Sequence, residues 1–321
     1  MHSISVSLLL AIASALSAVS RKDETSAFIE AGQHVIWSYP GFTPPQSLYD
    51  AISAGHVAGI IFFEENITTN ISNVITSLKT ANEASPTKLP LLLMTDQEGG
   101  AVRRLEGEPV QNARQMCGNG TAAAGGIGAG ENLRSVGMNM NLAPVLDVYR
   151  VSGNFIDEYG RSFSSNATAV GICGVDFMEA QRTTGVLSTV KHFPGLGTAN
   201  VDQNTDLTVV NLNVTLSEIR SIDEQPYSAA ITAGAELVMA SRAIYPALDP
   251  ISPAEPFGSY GDRAVMASQA RRDLIMASAR DITQGSDIVT ALADALDNGT
   301  LDTEAFTNAT KRIEKLRMSL A

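Results

Sequence analysis

Short apolar runs alternate along the chain with amphipathic stretches of helical period. Seven runs read as strands: His34–Ser38, Val57–Phe63, Leu91–Thr95, Met140–Val145, Val186–Val190, Glu236–Ser241 and Asp273–Ser278. Most are rich in Val, Ile, Leu and Met and end at Gly, Pro or polar residues, the pattern of parallel strands buried on both faces. The period between them predicts helices over Asn70–Ala84, Ala123–Val136, Ala167–Thr184 and Ser217–Ala233, with a shorter one over Asp262–Arg272. The stretch from Ser286 to Leu320 predicts two more, broken at Asn298-Gly299. Repeated βα units with no charged linker between them predict a single α/β domain, a (β/α)8 barrel of the TIM type. A doubly wound open sheet is the alternative, but it would carry a glycine-rich phosphate loop after its first strand. Here Gly125-Gly126-Ile127-Gly128 lies in a helix entry instead. Such a barrel closes with eight strands, and the pattern supplies seven. The thin interval is Ser241 to Asp273, which holds a Pro-rich loop, Tyr245 to Gly261, and one helix. Either a strand there escapes the pattern, or the barrel is incomplete by one βα unit near 250–262.

The N-terminus has a different character. Ser7-Leu8-Leu9-Leu10-Ala11-Ile12-Ala13, followed by small residues at Ala15, Ser17, Ala18 and Ser20, reads as a secretory signal peptide over residues 1–20, with 21–321 as the barrel domain. No stretch reaches the ~20 apolar residues of a membrane span. Secretion agrees with Asn-x-Ser/Thr sequons at Asn66, Asn70, Asn119, Asn166, Asn213, Asn298 and Asn308. The only cysteines, Cys117 and Cys173, would form one disulfide outside the cell or stay as two buried thiols.

Composition narrows the partners. With 44% apolar residues the chain is globular, and 22 Lys+Arg against 34 Asp+Glu give a net charge of −12. That balance argues against nucleic acid and against an anionic membrane surface. No Cys/His spacing of a metal site occurs, and no metal or organic cofactor is implied.

Barrel active sites open at the C-terminal ends of the strands, which singles out four clusters. The first is Asp96-Gln97-Glu98-Gly99-Gly100, leading to Arg103 and Arg104. A carboxylate followed by glycines lets backbone and ligand approach closely, although a capped turn with a solvated ion pair would explain the same residues. The second runs from Ala143-Pro144-Val145-Leu146-Asp147 to Gly160-Arg161-Ser162-Phe163. The third is Lys191-His192-Phe193-Pro194-Gly195-Leu196-Gly197, where a Lys-His pair on a strand end is costly to bury without partners. The fourth is Asp202-Gln203-Asn204-Thr205-Asp206. A strand-end lysine such as Lys191 also suits Schiff-base chemistry.

Taken together and in this order, these motifs resemble glycoside hydrolase family 3. Because no second α/β sandwich domain follows the barrel, the chain is similar to the β-N-acetylhexosaminidase branch. The resemblance implies a retaining, two-step hydrolysis of β-linked glycosides, with one carboxylate as nucleophile and a second group as acid/base. It implies that Asp96, Arg104, Arg161, Lys191 and His192 grip the terminal sugar, of N-acetylglucosamine or glucose type. Two departures accompany it. The family's acid/base pair is an aspartate and a histidine, and the matching positions here are Asp202 and Asn204, so Asp202 and Asp206 are the remaining acid/base candidates. The second departure concerns the helix and strand that bring the family's nucleophile. They are missing between Tyr245-Pro246-Ala247-Leu248-Asp249-Pro250 and Phe257-Gly258-Ser259-Tyr260, and no nucleophile can be assigned. The nearest carboxylates, Asp249 and Glu255, each precede a proline. The alternative reading is a sugar-binding barrel without turnover.

Overall fold

The computed structural model describes residues 26–248 and 258–320; the expected leader, Asp249 and Glu255 lie outside the described residues. All seven expected strands form, six of them shorter than the apolar run and β5 running past its own to Phe193: β1 Val35–Trp37, β2 Gly59–Ile61, β3 Leu92–Thr95, β4 Met140–Asn141, β5 Leu187–Phe193, β6 Leu237–Ala240 and β7 Ile275–Met276. They build one curled parallel sheet, a half-barrel, in the order β6-β5-β4-β3-β2-β1-β7. β4 is the most shortened. Pro144 follows Ala143 through a cis peptide bond, and pairing resumes only as an isolated bridge from Val145 to Lys191.

The strand order locates the gap. In a closed barrel a further strand would stand between β6 and β7, and among the described residues none does. Burial marks the same place. Strands β1 to β4 are buried throughout and β5 over most of its length, whereas β6 and β7 are only half-buried, with Val238 44% exposed. A parallel strand is dry on both faces only while neighbours and covering helices flank it. β6 and β7 lack that cover on the open side.

The barrel interior is filled by Ile36, Ile61, Leu92, Met94, Met140, Leu142 and Leu187, with Leu316 and Leu320 of the C-terminal helix end packed against them. Arg317, fully buried, fixes that end. Its guanidinium donates to the carbonyls of Leu89, at 3.1 Å, and Pro90, at 2.8 Å, and to the side chain of Gln33. These acceptors precede β3 and β1, so the C-terminal helix Thr303–Met318 closes the face of the sheet opposite the strand C-termini.

The helices Ala122–Ser135 and Ala167–Arg182 pack closely on one another, and the glycines of the first explain why. A Cβ on Gly126 would stand 2.1 Å from the Phe177 carbonyl oxygen. Gly126 therefore serves this helix contact, while Gly125 and Gly128 make room for Met116 and Glu108. The expected single helix over Ser217–Ala233 is instead a short turn, a π-helical stretch Ile219–Asp223 and a helix Gln225–Thr232. Pro226, without an amide hydrogen, sits in the first turn of that last helix, the position such a residue tolerates.

Cys117 and Cys173 form a disulfide, with Cα atoms 5.6 Å apart, joining the helix Ala113–Gly118 to Ala167–Arg182 across 56 residues of sequence. Closing a loop of that length restricts the unfolded chain, so the Cys117→Ser/Cys173→Ser variant should lose about 3 kcal/mol of stability in chemical denaturation. Of the seven sequons, Asn66 is fully buried: its amide donates to the carbonyls of Tyr39 and Gly41, and its oxygen accepts from Phe63 N–H. The other six asparagines are exposed. No helix among the described residues is long and apolar enough to cross a membrane.

Candidate active site

Because every strand of the sheet runs the same way, the strand C-termini share one rim. Asp96 follows β3, Asp147 lies beyond β4, and Lys191 and His192 belong to β5. A two-stranded hairpin, Gln97–Gly99 with Val102–Arg103, rises from the end of β3 and carries Glu98 and Arg104 inward. Gln97, itself buried, ties this hairpin down. Its amide donates to the carbonyls of Leu105 and Glu108, and its oxygen accepts from the N–H groups of Arg104 and Leu105.

Lys191 is 2% exposed, and its ammonium lies 2.7 Å from Asp96 Oδ1 and 2.6 Å from Glu98 Oε1. Arg161 holds Glu98 from the other side with two parallel hydrogen bonds, Nε to Oε2 at 2.9 Å and Nη2 to Oε1 at 2.8 Å. Burial alone would push the Glu98 carboxyl up. The Arg161 guanidinium and Lys191 ammonium outweigh it and hold Glu98 well below the usual carboxylate range. Arg104 approaches Asp96 at 3.7 Å from the open side. The partners that a buried Lys-His pair demands are thus present.

His192 Nδ1 lies 2.7 Å from Asp147 Oδ2, and Asp147, with no exposed surface, also accepts from Leu196 N–H at 2.7 Å. That pairing leaves Nε2 as the ring nitrogen free for a ligand. The peptide bonds Lys191–His192 and Phe193–Pro194 are cis. Downstream, a Cβ on Gly197 would stand 1.8 Å from the Val148 carbonyl oxygen, so only glycine lets the two backbones meet there. Tyr245 donates its hydroxyl to the Gly195 carbonyl at 2.8 Å and buttresses the loop. Asp147→Ala would leave His192 without its anchor. We expect it to destabilise the fold by about 2 kcal/mol and to weaken saccharide affinity, as read by thermal melting and calorimetry.

Asp223 packs behind this loop. Burial pushes its carboxyl up to about 7, although Arg150 donates to it at 2.9 Å; Asp147 and Glu218 add to the upward push. A carboxyl raised in the folded state stabilises the fold below its unfolded pKa, and that contribution is lost as pH rises through the folded value. Asp223→Asn, uncharged throughout, should therefore gain melting temperature on the parent protein as pH rises from about 4 to about 7, with the difference constant above that.

These side chains open onto a cavity of about 720 Å³, within the range of small-molecule sites. Asp96, Arg104, Arg161, Lys191 and His192 all line it. Of the two acid/base candidates, Asp206 lines the cavity, with Arg242 at 3.7 Å from its carboxylate, while Asp202 is exposed in the turn and is not among the lining residues. Asn204 also lines it. Glu98 and Asp147 were not singled out as site residues from the sequence, though both lie inside the motifs. The signal that could have found them is charge: a buried lysine and histidine each need an acceptor.

A rim of paired cations and carboxylates around a polar cavity supplies many donors and acceptors for a hydroxyl-rich ligand. Residues 33–257 match the Glycosyl hydrolase family 3 N terminal domain. The chain belongs to glycosyl hydrolase family 3. A protein of Arthroderma benhamiae named "Uncharacterized secreted glycosyl hydrolase" is 42% identical over 330 residues, covering 91% of this chain and 94% of that protein. The Beta-hexosaminidase A of Pseudoalteromonas piscicida is 36% identical over 64% of this chain, which spans only 36% of that enzyme. A solved family 3 structure, the β-N-acetylglucosaminidase of Paenibacillus sp., superposes with a TM-score of 0.82 at 26% identity, over 91% of this chain and 62% of that one. The β-N-acetylhexosaminidase of Beutenbergia cavernae superposes with 0.79 at 26% identity, over 91% and 98%. Family 3 membership and the β-hexosaminidase relatives identify the chain as a glycoside hydrolase.

Proposed function

We propose that the cavity binds the terminal β-linked sugar of a saccharide, of N-acetylglucosamine or glucose type, and that the chain cleaves the bond by the retaining route. The observation that carries this reading is the Lys191–Asp96–Glu98–Arg161 network, with Arg104 and His192 beside it. Lys191 donates where sugar hydroxyls accept, and Asp96, one-fifth exposed, accepts where they donate. The grip of two carboxylates on Lys191 favours this donor role over Schiff-base formation. In the first step a carboxylate attacks the anomeric carbon while the glycosidic oxygen departs with a proton. In the second, water attacks the same carbon, gives its proton to the acid/base group and releases the carboxylate. Asp206 is the acid/base candidate that the cavity favours.

A second reading, a sugar-binding barrel without turnover, draws support from the gap between β6 and β7 and from Asn204, whose amide cannot transfer a proton at neutral pH. Release of an aryl group from aryl β-N-acetylglucosaminide or β-glucoside, above that of a Lys191→Ala control, separates the two. Release in the parent protein alone supports hydrolysis. No release, with saccharide binding intact, supports binding alone. We further infer export through the leader at 1–20, with 21–321 as the working domain. The disulfide and the secreted relative support that inference.

A further inference from the structure

The wall of the cavity beside the gap carries no part of the sugar-gripping network, yet it is charged. Arg242 stands two residues beyond β6 and Arg280 four beyond β7, so the strands that border the opening each present a guanidinium to the cavity. Lys191 and Arg161 are matched by Asp96 and Glu98 at hydrogen-bond distance. The two wall arginines are not. Arg242 comes only within 3.7 Å of Asp206, with both side chains largely exposed, and Arg280 has no carboxylate partner among the described residues. Arg280 instead lies over the Phe63 ring, 4.4 Å from its centroid, where stacking fixes the guanidinium plane without using its donors.

Its backbone is held as well. Arg280 N–H donates to Ser38 Oγ at 2.9 Å, the neighbouring Ala279 N–H donates to Gln284 Oε1 at 2.7 Å, and φ is +57°, a conformation that disfavours an L side chain. In a chain of net charge −12, the cavity is lined by five arginine and lysine side chains against three carboxylates, Asp96, Glu158 and Asp206. A local cationic wall in an acidic protein attracts and orients an anion.

We propose that Arg242 and Arg280 form a subsite for an oxyanion substituent, a sulfate ester or a carboxylate, carried by the bound saccharide on the side of the cavity between β6 and β7. This rests on the cavity being a sugar site and adds the class of saccharide it prefers. Unmatched guanidiniums are the donors that such an anion needs, and Arg280 is already oriented by Phe63.

The test is calorimetric titration of paired probes: N-acetylglucosamine against its 6-sulfate, and glucose against glucuronic acid. In the parent protein the anionic member of at least one pair should bind about tenfold tighter, as expected for a new charge-assisted contact. The gain should shrink as salt is raised. Arg280→Asn, which suits the left-handed backbone, and Arg242→Gln should each remove most of the gain and leave affinity for the neutral sugar within about twofold. A gain confined to one pair assigns the anion as sulfate ester or carboxylate. Equal affinity within both pairs, or a gain that survives the double variant, would overturn the anion subsite and leave the sugar site standing. Failure of all four probes to bind would instead remove the sugar reading and this proposal with it.

Discussion

Glu98→Ala is expected to cost about 4 kcal/mol of folding stability and to abolish measurable saccharide binding. Glu98 is 5% exposed and meets Lys191 at 2.6 Å and Arg161 through two hydrogen bonds. Removing it leaves two cations in the same buried pocket with only Asp96 to answer them, and the desolvation penalty of the charges is no longer offset. The loss is larger than for a surface pair because neither Lys191 nor Arg161 can turn its head group fully into water. The pH dependence gives a second check. The folded-state carboxyl is held below its ordinary value of 4.5, so its stabilisation is fully present above that value and fades as pH falls toward the folded pKa. The gap in melting temperature between parent and variant should therefore be widest near neutrality and narrow on acidification below about pH 4.5. A constant gap across that range would mean that Glu98 acts through packing alone.

Asp206→Asn is expected to lower turnover of aryl β-N-acetylglucosaminide by about a hundredfold or more, the usual scale for loss of a general acid/base. Saccharide affinity should change little. Asp202→Asn should leave turnover near the parent level, because Asp202 is exposed and outside the cavity wall. Equal turnover in parent and Asp206→Asn would rule Asp206 out as the proton-transfer group. Comparable losses in both variants would show that the loop acts as a unit.

Much of the scaffold was legible in the sequence, for a physical reason. Parallel strands covered on both faces must be apolar without interruption, so Val57–Phe63 or Leu91–Thr95 carry their assignment in their own residues. Pairing then sets the bounds: it trims most runs, as at β4, which stops at Asn141 before Pro144, and carries β5 past its apolar run to Phe193, which pairs with Ala240. The hairpin Gln97–Gly99 with Val102–Arg103 was not legible. It is short and polar, and a buried ion network, rather than an apolar face, holds it. The roles of Glu98 and Asp147 were hidden for the same reason: an acceptor for a buried cation or histidine is defined by contacts 45 to 63 residues away in sequence, not by local pattern. The gap after β6 was visible both ways, as a missing apolar run and as half-buried edges on β6 and β7. The wall arginines drew no notice in the sequence, because nothing local distinguishes Arg242 or Arg280 from any solvated arginine.

Sugar binding at the rim built on Lys191, Asp96, Glu98 and Arg161 is the step on which the proposed function depends. Its most direct test is calorimetric titration of N-acetylglucosamine into the parent protein and into Asp96→Ala. This variant keeps Glu98 between Lys191 and Arg161 and removes the more exposed of the two carboxylates, so the protein should stay folded with a smaller loss of stability than Glu98→Ala. Saturable binding is expected in the parent, with affinity at least tenfold weaker in Asp96→Ala and a melting temperature between those of the parent and Glu98→Ala. Equal affinity in both proteins, or no binding by the well-folded parent, would contradict it.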